Sequence, residues 1–370
     1  MNEGSDPNQQ PYPGPQQQPG PAHEPNESNP VLDSIDDSVS SPAPAAPAQP
    51  AERPEVRIGK FANVLEQSVD KVVKGQPGVV RHILVALMTG GHVLLEGNPG
   101  TAKTLLVRTL SKLCKLEFRR IQFTPDLMPS DITGTSIFRP DSATFEFRRG
   151  PVFTQMLLAD EINRAPARTQ AALLQAMQER MVTADGSDHE LSDIFTVIAT
   201  QNPLESEGTY PLPEAELDRF LFKLLVDYPD QNEELKIFQQ HGAPKTADEF
   251  SGLVKDALFG SGELMAMRKA VLNIEVRPDV ANYALQIIRA TRENPFLRAG
   301  ASTRAGVMLL RASRALAATY GRSFVVPDDI RELAPAALRH RLYRTAAAEL
   351  EGTTTDAILA DIVNRITPPR

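Results

Sequence analysis

The stretch HVLLEGNPGTAKTLLVRTL, His92–Leu110, decides how the rest of the chain is read. Its first part is a continuous apolar run that stops at Gly97, Asn98, Pro99, Gly100, Thr101 and Ala102. Its second part opens with Lys103 and Thr104 and carries apolar residues at helical spacing. A buried strand, a glycine-containing loop and a helix, in that order, form a phosphate cradle. Gly97 and Gly100 are expected to let the backbone turn tightly and approach a ligand closely. The loop N–H groups and the helix N-terminus then face one concavity, which suits an anion. Lys103 is placed to reach the β- and γ-phosphates of a nucleotide, and the Thr104 hydroxyl to ligate Mg²⁺. The strict pattern has glycine before the lysine; here Ala102 stands there, still small enough to keep the loop close. The competing reading is a plain Gly-Pro turn joining a strand to a helix.

Two later segments fit the first reading. VFTQMLLADEINR (152–164) reads as an apolar strand ending in adjacent carboxylates, Asp160 lying 57 positions after Lys103. An acid at a strand end beside the loop can hold the Mg²⁺ shell, the role expected of Asp160. Glu161 points toward solvent over the γ-phosphate and can orient and polarise a water. Transfer of phosphate to an acceptor has no need of that second acid, so the pair argues for hydrolysis. IFTVIATQNP ends with Gln201 and Asn202, which a parallel sheet brings beside the acidic pair. Asn202 can bond the same water or the γ-phosphate, or it can satisfy backbone groups of a Pro-terminated turn.

The fold class expected is α/β, with a P-loop αβα nucleotide-binding domain around a parallel sheet. Strands at HVLLEG, IFTVIAT and FLFKLLVDYP alternate with helical periods at 61–73, 79–90 and 105–116. From residue 229 to 370 helical periods dominate, from ELKIFQQH through SGLVKDALF and ELMAMRKAVLN to PDDIRELAPAALRHRLY, and predict an all-α domain. Within 122–150, SIFRP and ATFEF alternate around PDS and predict a β-hairpin.

The first 55 residues differ in kind. They hold 13 of the 31 prolines, nine acidic residues and one basic residue, Arg53. Such a segment cannot bury enough apolar surface to offset its ordering entropy and is expected to be a disordered tail. VLDSIDDSVS (31–40) reads as linker, or as a short docking motif. The net charge of −8 sits in this tail, and the remaining residues hold 38 charges of each sign. A basic nucleic-acid footprint is therefore not expected. One cysteine, Cys114, excludes an intrachain disulfide and suits a reducing compartment. No apolar run reaches the ~20 residues of a membrane helix, and MNEGSDPNQQ lacks the regions of a signal peptide. A soluble cytoplasmic protein without stable membrane insertion is expected.

GNPGTAKT, LLADEINRAPARTQAALLQAMQER, VIATQNPLESEGTYPLPEAELDRFLF and GASTRAG, in that order, resemble the MoxR family of AAA+ ATPases. The resemblance covers most of residues 56–365. It implies an AAA+ nucleotide-binding domain over 56–228, a helical lid domain over 229–370, and homo-oligomeric rings, usually hexamers, with ATP between subunits. It places Lys103 and Thr104 at the Walker A pair, Asp160 and Glu161 at Walker B, and Asn202 at sensor 1. Arg219 falls at the arginine finger and Arg304 at sensor 2. Arg164 is a rival trans-acting arginine, and surface salt bridges are the ordinary alternative for all three. Residues 122–150 become the helix-2 insert, expected to contact a client. The family implies a chaperone-like remodeler that matures or activates enzyme complexes, often with a separate von Willebrand factor A-type partner. A chelatase-type motor subunit keeps the fold and changes the client, and a nucleotide-dependent scaffold has no use for Glu161. The histidines show no metal-ligand spacing. Cys114 reads as a buried thiol, and DGSDHE (185–190) as a hairpin turn.

Overall fold

The computed structural model describes residues 52–203, 209–241 and 257–370. The expected tail up to residue 51 lies outside the described residues, as do residues 251–256 of the predicted helix SGLVKDALF. The described residues form one compact unit. Helices α1 (Pro54–Asp70) and α2 (Pro77–Thr89) lead into strand β1 (Val93–Glu96). Then follow α3 (Lys103–Leu113), β2 (Phe118–Gln122), α4 (Pro129–Thr133), the hairpin β3 (Gly134–Arg139) and β4 (Thr144–Arg149), and β5 (Met156–Asp160). Next come α5 (Ala167–Glu179), the hairpin β6 (Met181–Ala184) and β7 (Ser187–Glu190), β8 (Thr196–Gln201), α6 (Glu214–Leu217) and β9 (Phe222–Leu225). Helix α1 opens two residues before the expected boundary at 56, with Pro54 at its first position, where the missing N–H costs nothing.

Strands β2, β5, β8, β1 and β9 form one parallel sheet in that order. Alternation sends successive side chains to opposite faces. Val93 and Leu95 of β1 join Met156, Leu158 and Ile198 in a core with α1, α2 and α3. Leu94 joins Leu157, Ala159, Val197 and Ala199 in a second core with α5. All five residues of β5 are buried, as expected of a parallel strand covered on both faces. That strand is shorter than the segment 152–164, and before it the side chains of Thr154 and Gln155 bond the backbone of Glu117.

Beyond β9 the chain is mainly helical: α7 (Gln231–His241), α8 (Ser261–Leu272), α9 (Pro278–Glu293), α10 (Thr303–Thr319), α11 (Pro327–Leu338), α12 (Ala346–Leu350) and α13 (Thr355–Arg365). The Ser302 hydroxyl caps α10 by accepting the Ala305 N–H. These helices form a lid whose Leu264, Tyr283, Leu309 and Ile330 share the first core with the sheet. A two-stranded ribbon, β10 (Leu297–Ala299) with β11 (Tyr343–Arg344), interrupts the helical pattern. The predicted helix over PDDIRELAPAALRHRLY ends at Leu338, and Arg339–Arg341 form a 3₁₀ turn. Cys114 is buried, and burial pushes its thiol pKa up, against any role as a nucleophile.

The hairpin predicted in 122–150 is present, with Ser136 opposite Phe147 and Phe138 opposite Phe145. Its inner part rests on the second hairpin: Phe147 stacks on His189 at 4.2 Å, and Ser136 bonds Asp185. Its tip projects, with Phe138 at 50% and Phe145 at 71% exposure and ring centroids 5.3 Å apart.

Candidate active site

The loop after β1 closes on itself. Lys103 Nζ donates to the carbonyls of Gly97 at 2.7 Å and Asn98 at 2.8 Å, and to Thr101 Oγ1 at 3.2 Å. Thr101 Oγ1 donates in turn to the Asn98 carbonyl at 2.9 Å. Burial lowers the Lys103 pKa, and the charges of Asp160 and Glu161 act against that shift. Gly100 has φ +82° in the turn with no atom near its missing Cβ. Gly97 is needed for a different reason from the expected one: a Cβ there would lie 2.2 Å from the Val226 carbonyl oxygen. Its constraint is the close approach of the chain leaving β9, and neither Gly97 nor Asn98 lines the cleft. Ala102 has φ +59°, the left-handed conformation that explains the glycine of the strict pattern. Holding alanine there costs roughly 1–2 kcal/mol.

The sheet register assembles the opposite wall. Gln122 lies beside Asp160, and Glu96 beside Gln201. Thr200 Oγ1 donates to Asp160 Oδ1 at 2.6 Å and accepts the Glu161 N–H at 2.8 Å. Glu161 itself has φ +56°, so the chain swings off β5 and turns its carboxylate outward. Strained backbone of this kind clusters at functional sites. Thr104 Oγ1 donates to Asp160 Oδ2 at 3.1 Å. This hydroxyl and carboxylate are the hard oxygen donors Mg²⁺ takes, so the residues fit that ion.

Lys103, Thr104, Asp160, Glu161, Thr200 and Asn202 thus line one cleft of about 470 Å³, together with Pro99–Ala102, Leu105, Arg120, Gln122 and Gln201. Arg120 Nε and Nη2 donate to Asp160 Oδ2 at 3.0 and 2.7 Å. Gln122 Nε2 and Arg164 Nη1 donate to Glu161 Oε2 at 2.6 and 2.9 Å. Sequence reasoning missed Arg120, Gln122 and Thr200, because no local pattern marks them and only the strand register brings them to the acids.

A second cavity of about 390 Å³ shares Gly100, Thr101, Ala102 and Leu105 with the cleft. Val72, Val73, Tyr228, Pro229, Ile237 and Phe238 make it largely apolar. Gln76 Nε2 and Tyr228 Oη tie its wall to the carbonyls of Asp227 and Pro99 at 3.1 and 3.3 Å. An apolar hollow beside a phosphate loop suits a nucleobase. Its residues come from three distant segments, and nothing in the sequence joined them.

The structure does not bring Arg219 or Arg304 into the cleft wall. Arg219 Nε pairs with Glu216 Oε2 at 3.0 Å just before β9. Arg304 is exposed in the first turn of α10.

The family model described as "ATPase family associated with various cellular activities (AAA)" matches residues 92–222, and that of the AAA lid domain matches residues 289–362. Fold and site together therefore define an ATPase of the AAA class. Chaperone MoxR1 of Mycobacterium tuberculosis is 39% identical over 341 residues, 90% of this chain and 88% of that one. An uncharacterized protein, YeaC of Bacillus subtilis, is 43% identical over 82% of this chain and 93% of its own. Protein MoxR of Paracoccus denitrificans is 31% identical over 77% of this chain and 89% of its own. A crystal structure from Cytophaga hutchinsonii superposes with a TM-score of 0.78 at 38% identity, covering 86% of this chain and 97% of that one. The chain belongs to the MoxR family of AAA+ ATPases. No helix among the described residues is long and apolar enough to cross a membrane.

Proposed function

We propose that this ATPase is a cytoplasmic ring protein, a hexamer in its working form, that acts as a chaperone-like remodeler. It matures or activates a separate partner complex that includes a von Willebrand factor A-type protein. The observation that carries this reading is the convergence of Lys103, Thr104, Asp160, Glu161 and Asn202 on one cleft. A relative named Chaperone MoxR1, alike over nearly its whole length, supports the remodeling half. We assign residues 56–228 to nucleotide binding and 229–370 to the lid.

In this reading Lys103 turns its ammonium from the loop carbonyls to the β- and γ-phosphates. Mg²⁺, when held by Thr104 and Asp160, neutralises charge on the phosphate oxygens. Thr200 fixes Asp160 through one carboxylate oxygen, and the other accepts from the Thr104 hydroxyl and from Arg120. Glu161 draws a proton from a water aligned with the γ-phosphate, and Asn202 holds that water or the phosphate. Arg219 of one protomer supplies positive charge to the site of the next. Arg304 reports the state of the nucleotide to the lid.

The cradle is tested by Lys103→Ala. ATP affinity should fall roughly 10- to 100-fold, the worth of a charge-assisted bond, and the ATP-dependent rise in particle mass should vanish. Unchanged affinity in a fluorescent-nucleotide titration would place the phosphates elsewhere. We assign the client contact to the exposed pair Phe138 and Phe145 on the hairpin tip. Replacing both by serine should leave basal turnover intact and abolish activation of the partner. Loss of basal turnover in that variant would show that the hairpin serves the ATPase site instead.

A further inference from the structure

Arg341 belongs to the 3₁₀ turn Arg339–Arg341 of the lid and is 4% exposed. An arginine is seldom buried unless its donors are taken. Here one short segment of the sheet domain takes most of them. Nε donates to Asp218 Oδ1 at 2.6 Å, Nη2 to the carbonyls of Asp218 at 3.0 Å and Phe220 at 2.7 Å, and Nη1 to that of Leu221 at 3.3 Å. His340 Nε2 adds a bond to the Phe220 carbonyl at 3.0 Å. Asp218 and Phe220 are the two residues that flank Arg219.

Phe220 is buried in the second core and the Leu221 N–H donates to the His92 carbonyl at 2.8 Å, yet regular structure is sparse here. Helix α6 is only four residues long, and the sheet ladder begins again at Phe222. The carbonyls on both sides of Arg219 accept from the lid's Arg341, so the lid helps to fix the backbone that carries Arg219. The same guanidinium reaches back to the lid helix that carries Arg304. Arg341 Nη2 lies 3.4 Å from the sulfur of Met308, one turn beyond Arg304 on α10. Burial lowers the Arg341 pKa, Asp218 acts against that shift, and the charge of Arg304 adds to it. The helix that carries Arg304 and the segment that carries Arg219 are thus joined through one buried side chain.

We propose that Arg341 is a positioning residue that holds its protomer's Arg219 in the pose the neighbouring site requires, so that movement of the lid withdraws it. This rests on the reading of Arg219 as a trans-acting arginine. A lid that responds to its own nucleotide would then time hydrolysis next door, which passes the reaction around a ring.

The test uses mixed assemblies of full-length protein. Arg341→Lys keeps the charge and loses the planar fork. Asp218→Asn keeps the shape of its partner and loses the charge. Each variant alone should lose at least about tenfold in kcat while its own ATP affinity is unchanged, because only the finger it offers is misplaced. Each is then mixed with an equal amount of Glu161→Gln, whose site is dead and whose finger is intact. Turnover per Arg341→Lys protomer should rise to about half the wild-type value, since about half its sites then face an intact finger in a random ring. Arg219→Ala mixed in the same way is the control and should recover equally. If no mixture recovers, Arg219 is not a trans-acting arginine and the proposal falls with that reading. If Arg219→Ala recovers and Arg341→Lys and Asp218→Asn do not, Arg341 serves its own site or the fold, and the proposal alone is overturned. Should Arg341→Lys fail to assemble, Asp218→Asn decides, and wild-type turnover in it overturns the proposal.

Discussion

Glu161→Gln should bind ATP as the wild type does and hydrolyse it ~10²–10⁴ times more slowly, the range for loss of a general base. The structure gives the reason for that split. Glu161 takes no part in holding the loop; its N–H is tied to Thr200, and its carboxylate accepts Gln122 and Arg164. An amide of the same size keeps an oxygen for those donors and cannot accept the proton of a water. Single-turnover hydrolysis beside a fluorescent-nucleotide titration reads both quantities. Equal losses of binding and turnover would move Glu161 from the reaction to the cradle. If the split is observed, the variant holds the ATP state and becomes the means of trapping the partner complex.

Arg219→Ala carries the largest expected loss, ~10³–10⁵ in kcat, as for arginines that meet a γ-phosphate from a neighbouring chain. Wild-type turnover per protomer should rise with protein concentration, in step with mass from light scattering. The variant should assemble and bind ATP and yet stay slow at every concentration. A head-to-tail contact of this kind closes into a ring. Wild-type turnover in Arg219→Ala would shift the role to Arg164, which in the isolated chain reaches Glu161 of its own protomer at 2.9 Å. The pairing of Arg219 with Glu216 joins two side chains each about a quarter exposed, and exchanging it for a phosphate replaces one ion pair by another.

The phosphate loop was legible because its chemistry is local. Strand, loop, lysine and threonine are contiguous, and each is constrained by its nearest neighbours. The acid pair was legible because a buried parallel strand is a continuous apolar run that ends where the acids begin. The reason for Gly97 was not legible, since the atom that forbids a side chain is the Val226 carbonyl, far along the chain. The helical reading of RHRLY failed for a related reason. Periodicity favoured a continued helix, but the carbonyls of residues 218–221 offered Arg341 and His340 partners that a helix would have turned away from them.

Sequence alone therefore specified the class of the fold, the glycine-containing loop after β1 and the carboxylates at the end of β5, because these depend on spacing within single elements. Tertiary structure decided the rest. Strand order β2-β5-β8-β1-β9 brought Arg120, Gln122 and Thr200 to the acids. Packing of α7 and the chain after β9 against the loop made the apolar hollow. The lid's buried arginine reached across to the residues around Arg219. Each of these is a contact between groups far apart in the chain, set by hydrogen-bond satisfaction and burial across elements, and periodicity along one element carries no record of it.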